Sequence, residues 1–328
     1  MCEEKEDAAS KAFTAILESH EPLRRRRAES ERRRTQAREL IHSAAFFQHA
    51  HLTLFVAGSM GRGEMGDRSD LDLFVLTTRP CSEAEQVGLI RGMDEVNAAL
   101  GYPPFSNRRF LKAYDLEALL RNTGSPEDDS ENCFTSRLLL LLESLPLAND
   151  ETYRQIRDQV LGQYFRDERG KSSYRPLFLL NDVLRYWRTL CLNYEVLRHD
   201  PGRPWWKKNI NLKFSRVLTV FATVTALTVL EVHAKADFLP MCDLSPHHRL
   251  AYALDQLGDR QLRDTYKAFL DDYETFLGWK EDEGIDSRAE TSEFQALAQS
   301  VADRFSDFLY SVLTHASLPA QRRKYLVI

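Results

Sequence analysis

The chain has 328 residues, which at about 150 residues per domain points to two domains or one large one. Apolar residues make up 43% and charged residues 28%, a globular profile that excludes a fully disordered, collagen-like or coiled-coil protein. The net charge of −5 excludes a polycation built to coat nucleic acid, so any nucleic-acid contact has to be a local patch.

The opening MCEEKEDAAS has no apolar stretch behind a basic start and does not read as a signal peptide. Residues 1–45 read as a polar helical segment. Eight arginines fall within fifteen positions there (Arg24 to Arg27, Arg32 to Arg34, and Arg38), opposed by Glu29 and Glu31. That cluster admits two readings: a solvated helix with i,i+4 ion pairs, or a contact with RNA or phosphate. From His51 the texture changes. LTLFVAG is a β-branched and aromatic run ending in glycine, and it predicts a strand. A glycine-rich segment follows, then a second strand in LDLFVLT.

Cys81 to Leu100 reads as a helix capped by Ser82 ahead of Glu83 and Glu85, and Tyr102-Pro103-Pro104 breaks it. Arg109 to Tyr114 reads as a third strand and Asn122 to Asn132 as a loop. After Thr135 the strand signals end. SRLLLLLES, NDVLRYWRTLCLNYEVL, the run from Val217 to Leu230 and the 250–315 region all favour helices. Tyr174-Arg175-Pro176 and Asp200-Pro201-Gly202-Arg203-Pro204 punctuate them. The expected architecture is α+β: a small mixed-sheet domain over 46–145, then an all-α domain over 146–328.

The five cysteines (Cys2, Cys81, Cys133, Cys191, Cys242) form no CxxC pair, which suits a reducing compartment. VLTVFATVTALTVL is shorter than the roughly 20 residues a bilayer needs and carries four threonines, so it reads as a buried helix. A cytoplasmic protein with no membrane partner is the expectation.

The chemistry concentrates in one segment, AGSMGRGEMGDRSDLDLFV, from Ala57 to Val75. A strand runs into Gly58-Ser59, Gly61 and Gly63 bracket Arg62, and Ser69-Asp70-Leu71-Asp72 opens the next strand. Residues two apart on a strand point to the same face, so Asp70 and Asp72 project side by side. Two carboxylates held that close repel unless a cation lies between them, which makes them a natural Mg²⁺ site. Glycines let backbone N–H groups approach phosphate oxygens, and Ser59 adds a hydroxyl donor. Metal on one side and donors on the other is the arrangement phosphoryl or nucleotidyl transfer uses. The segment is not a Walker A loop, and no GxSxG hydrolase signature occurs in the chain.

Gly58-Ser59, Gly61-Arg62-Gly63-Glu64 and Ser69-Asp70-Leu71-Asp72 resemble the signature of the DNA polymerase β-type nucleotidyltransferase superfamily. Within it, GRGE ahead of SDLDL is most similar to the uridylyltransferase domain that modifies the nitrogen regulatory protein PII and to related bacterial domains. The likeness is close over roughly 25 residues and loose to about residue 145. Phe134 to Ser144 and Leu180 to Thr189 are also similar to segments of bacterial proteins that carry this domain.

The resemblance implies an NTP donor, two Mg²⁺ ions and transfer of a nucleoside monophosphate to a hydroxyl acceptor. By it, Gly58 and Ser59 hold the triphosphate, with Ser69 beside them, and Asp70 and Asp72 bind metal. A third carboxylate that activates the acceptor falls to Asp129 or its neighbour Asp128, with Asp115 as the alternative. Arg62 either contacts phosphate or pairs with Glu64 or another carboxylate. The implied acceptor is a protein side chain first, an RNA 3′ end second and a small molecule of the aminoglycoside type third. A different class of answer is a regulatory or antitoxin-like module that binds nucleotide and transfers nothing.

In the second domain, Asn181, Arg185 and Arg188 share one helix face, with Asp182, Tyr186 and Trp187 nearby. They read either as a nucleotide-binding wall, Arg185 and Arg188 holding phosphate, or as a polar seam between helices. Trp205-Trp206-Lys207-Lys208 with Lys213 and Arg216 suits base stacking or a docked, tryptophan-anchored loop. Cys242, His247 and His248 lack a fourth ligand at zinc spacing.

Overall fold

The computed structural model describes residues 11–43, 47, 49–105, 111–170, 173–198 and 205–326. The Asp200–Pro204 break, Cys2 and the start of the third expected strand lie outside the described residues. The chain divides into two compact units. One, the sheet unit, comprises 25–172 and 234–245. The other, the helical unit, comprises 1–24, 173–233 and 246–328. The sheet unit therefore runs past the boundary expected at 145, and residues 1–45 are divided between the units.

In chain order, helices α1 (Ala12–Ser19) and α2 (Glu21–Ser43) come first. Strand β1 (Leu52–Ala57), the five-residue helix α3 (Gly58–Arg62) and strand β2 (Asp72–Thr77) carry the glycine-rich motif. Helix α4 (Glu83–Ala99), strand β3 (Ala113–Asp115) and helices α5 (Leu116–Arg121), α6 (Pro126–Ser130) and α7 (Cys133–Leu142) follow. Strand β4 (Leu145–Ala148) and helix α8 (Asp150–Tyr164) complete this part of the sheet unit.

The sheet is mixed, in the order β3-β2-β1-β4. β1 and β2 are antiparallel, with Ala57 opposite Asp72. β2 and β3 are parallel, with Thr77 opposite Asp115. Every residue of β1 is buried, because both faces of the sheet are covered. On one face Leu52, Leu54, Val56, Leu73 and Val75 pack with Ala37 and Ile41 of α2 and with Leu89, Met93 and Val96 of α4. On the other, Phe55 stacks on Phe74 at 5.1 Å and meets Tyr153 of α8 at 6.3 Å. The Ser82 capping box forms as expected: its Oγ accepts from the N–H of Glu85 at 3.3 Å while Glu85 accepts from the N–H of Ser82 at 2.8 Å.

Two expectations fail here. β4 is a strand where only helix was expected, and it pairs antiparallel with β1. Its sequence, LPLA, carries a proline that hides the strand signal. An edge strand tolerates proline because one side of it needs no ladder hydrogen bond. The 122–132 loop contains a turn of helix, α6, with Pro126 in its first turn, a position where the missing N–H costs nothing.

The helical unit takes α9 (Leu177–Arg198), α10 (Trp205–Asn211), a π-turn at Leu212–Arg216, α11 (Val217–Val229), α12 (Pro246–Leu257), α13 (Arg263–Glu281) and α14 (Ser292–Leu313). An aromatic stack holds its core: Phe269 lies 4.2 Å from Phe305, and Phe214 lies 4.9 Å from Phe276. The continuous stretch Lys208–Val229 is long and apolar enough to span a bilayer by length and composition, yet 83% of its apolar window is buried inside the molecule. It is a core helix, as its threonines suggested. α1 docks on this core through Phe13 and Leu17. The carboxylate of Asp255 accepts from the N–H groups of Phe13 and Thr14 at 2.7 and 3.1 Å, satisfying donors that a helix start leaves open.

Candidate active site

The glycine-rich corner sits where β1 ends and β2 begins, on neighbouring antiparallel strands. Leu71 and Leu73 are buried, whereas Asp70 is exposed and Asp72 half-buried. Both were expected on the strand, but β2 begins at Asp72, and Asp70 lies in the segment that leads into it. Gly58 has φ +64, a left-handed conformation natural to glycine. A β-carbon on it would collide with Oδ2 of Asp72, so the backbone of Gly58 and the Asp72 carboxylate are in close contact. Ser59 is buried, and its Oγ has no hydrogen-bond partner among the described residues. A buried hydroxyl without a partner costs free energy unless something supplies an acceptor.

Arg62 does not reach outward. It is 4% exposed, its Nε donates to Oε2 of Glu64 at 2.8 Å and its Nη1 donates to Oε2 of Glu143 at 2.9 Å. Of the two roles open to Arg62, the structure shows the pairing. Oε1 of Glu143 also accepts from the N–H of Gly58 at 3.3 Å. Glu143, buried at 3% exposure just after α7, thus holds both ends of α3. Gly61 is required for the same packing, since a β-carbon there would strike the backbone oxygen of Glu143. Sequence reasoning missed Glu143. The available signal was a lone charge closing the apolar run LLLLLES.

The candidates for a third carboxylate separate clearly. Asp115 lies opposite Thr77, five residues along β2 from Asp72, or about 16 Å at strand rise. It caps α5, its Oδ2 accepting from the N–H of Ala118 at 3.2 Å. Asp128 is fully buried and gives both oxygens to Arg137, at 2.9 and 2.7 Å, while accepting from the N–H of Gly124 at 3.1 Å. Asp129 is exposed on α6. The chain that leads to it leaves the sheet at Asp115, beside the end of β2 remote from Asp72.

Ser69 closes the turn before the acidic pair, its Oγ accepting from the N–H of Gly66 at 3.0 Å. Arg33 braces the same turn from α2, donating to the carbonyl of Gly66 at 2.9 Å and to Oδ1 of Asp67 at 3.0 Å. Arg24 pairs with Glu21 and Arg34 with Glu31 three positions away along the helix, while Arg38 pairs with the distant Asp150.

Arg185 and Arg188 lie on α9 in the helical unit. Arg185 faces Asp182 at 3.6 Å, Arg188 is exposed, and Asp182 is buried. Trp206 packs against the helical core with Lys213 5.6 Å from its ring, which is the docked arrangement; the side chains of Trp205 and Lys207 lie outside the described residues. His247 meets Tyr273 edge to face at 4.5 Å and His248 meets Glu18 at 2.9 Å. Among the described residues, no three His, Cys, Asp or Glu side chains gather as a ready metal cage. A Mg²⁺ on two carboxylates takes its remaining ligands from water and phosphate oxygens, so the Asp70–Asp72 pair fits that ion. Comparison with protein families, curated proteins and solved structures finds no significant match.

Proposed function

We propose that the sheet unit is a Mg²⁺-dependent nucleotidyltransferase, which moves a nucleoside monophosphate from an NTP to a hydroxyl acceptor and releases pyrophosphate. The observation that carries this reading is the corner itself: a partnerless, buried Ser59 hydroxyl beside Gly58, whose bare backbone is packed on the Asp72 carboxylate. Asp70 and Asp72 would hold the metal, which when bound offsets the charge of the triphosphate and of the leaving pyrophosphate. Ser59 donates its hydroxyl proton to a phosphate oxygen, which satisfies the open donor. Gly58 lets the chain turn there without a side chain intruding on Asp72. Glu143 and Arg62 keep the corner in place from within.

In the transfer, the acceptor oxygen forms a bond to the α-phosphorus as the bond between that phosphorus and the bridging oxygen breaks. Pyrophosphate leaves with the electron pair. Asp115 caps α5 and Asp128 holds Arg137, and Asp129, the residue first expected to take the acceptor proton, follows Asp115 in the chain at the end of β2 remote from Asp72. That same engagement favours a second reading, a module that binds NTP without transferring it.

One experiment separates them. The protein is incubated with Mg²⁺ and each α-labelled NTP, with cell lysate and total RNA as acceptors. Label on an acceptor, lost in Asp70→Ala and Asp72→Ala, supports the transferase. NTP binding with no pyrophosphate release supports the second reading, and label retained in both variants removes the assignment.

A further inference from the structure

We propose that the acceptor is a small molecule bearing a phosphate group, held in an arginine-lined cleft next to Asp70; this rests on the transferase reading above. The cleft has a volume of about 490 Å³ and lies wholly within the sheet unit. Its size is that of a small-molecule site, roughly 300–1,000 Å³. Arg32, Arg33 and Gln36 line it from α2, Arg68 and Ser69 from the turn before the acidic pair, and Tyr102 from the segment after α4. Ser69, which lines the cleft, immediately precedes Asp70 in the chain.

Charge defines what the cleft accepts. Three guanidinium groups line it against one carboxylate, that of Asp67. Arg33 is engaged with Glu29, Gly66 and Asp67 and acts as a strut. Arg32 uses Nε and Nη2 on Glu29, and its Nη1 makes no hydrogen bond among the described residues. Glu29 thereby orients Arg32 at the cleft. A planar guanidinium held this way suits a phosphate, which takes charge-assisted hydrogen bonds from it. A polycationic acceptor of the aminoglycoside type meets like charge here and is disfavoured.

The geometry assigns a division of labour: the cleft anchors the acceptor's phosphate, and its hydroxyl is presented toward Asp70. The test uses ribose 5-phosphate and ribose as probes, titrated calorimetrically into the full chain without NTP. The wild type is expected to bind the phosphorylated sugar and not ribose, more weakly as salt rises. Arg32→Ala/Arg68→Ala, both on exposed positions, is expected to weaken that binding at least about tenfold. Titration with a fluorescent NTP in Mg²⁺ runs in parallel and is expected to be unchanged in this variant and lost in Asp70→Ala.

Equal affinity in wild type and double variant, or no preference for the phosphorylated sugar, overturns the cleft assignment. A single-stranded RNA that binds while the sugar phosphate does not overturns it in favour of a polynucleotide. Failure of NTP binding in the wild type refutes the transferase reading by itself, while the sugar-phosphate titration still decides whether the cleft takes an anion.

Discussion

The space that a side chain on Gly58 would need is taken by the carboxylate of Asp72, so these two residues define one another's conformation at the corner. Gly58→Ala would add left-handed strain, about 1–2 kcal/mol, and would push Asp72 aside. The expected result is a modest fall in the urea midpoint with loss of NTP binding. Gly63→Ala is the control: its φ is +74, but the added carbon would meet the Cγ of Arg27 at 3.1 Å, a flexible side chain, and not Asp72. It should lose comparable stability and keep NTP binding.

Arg62 lies between two buried carboxylates, Glu64 and Glu143. Arg62→Met would strand both, at a cost of about 3–5 kcal/mol. Arg62→Met/Glu64→Gln/Glu143→Gln removes the stranded charge and should recover much of the loss. Urea unfolding of the three proteins checks this, and equal midpoints for the single and triple variants would refute it.

Asp128 and Asp129 are neighbours with opposite expected phenotypes. Asp128→Asn weakens the pair with the fully buried Arg137, so unfolding should become easier by about 3–5 kcal/mol. Asp129→Asn alters an exposed side chain and should leave stability within about 0.5 kcal/mol. If Asp129 takes the acceptor proton, this variant keeps NTP binding and loses label transfer. Wild-type transfer in Asp129→Asn would remove it from the mechanism.

The side chains of Arg32 and Arg33 hold the carboxyl of Glu29 down at about 2, the Arg32 hydrogen bond contributing most. A depressed carboxyl stabilises the fold above its unfolded value of 4.5, and that contribution is lost as pH falls through about 2. Carbon-detected NMR of the Glu29 carboxyl should therefore show a midpoint near 2 in the wild type. In Arg32→Ala the midpoint should rise toward 4.5. Sugar-phosphate binding should weaken over the same acid range, as Glu29 lets go of Arg32.

The motif was legible because its information is local. The strand composition of β1 and β2, the glycine-rich turn between them and the Ser82 cap all depend on residues a few positions apart. What was not legible depends on partners distant in sequence. Whether Arg62 faces phosphate or protein is decided by Glu143, 81 positions later. Asp128 and Asp129 are indistinguishable on paper, and only the placement of Arg137 buries one and leaves the other in solvent. β4 was hidden by Pro146, and the carbonyl of that proline accepts from Arg38 at 3.0 Å, a bond that composition cannot announce.

The Gly58–Glu143 hydrogen bond joins positions 85 apart, which has a consequence for how the protein is made. The β1–β2 hairpin is local and its loop closes quickly, whereas the residue that fastens its corner emerges from the ribosome only after α7 has been synthesised. Long loops close late and slow the folding of the contacts that depend on them. A nascent chain ending at Thr77 already displays Ser59, Asp70 and Asp72 but lacks the fastener, so the corner is secured in the second half of the unit's synthesis rather than with the motif itself.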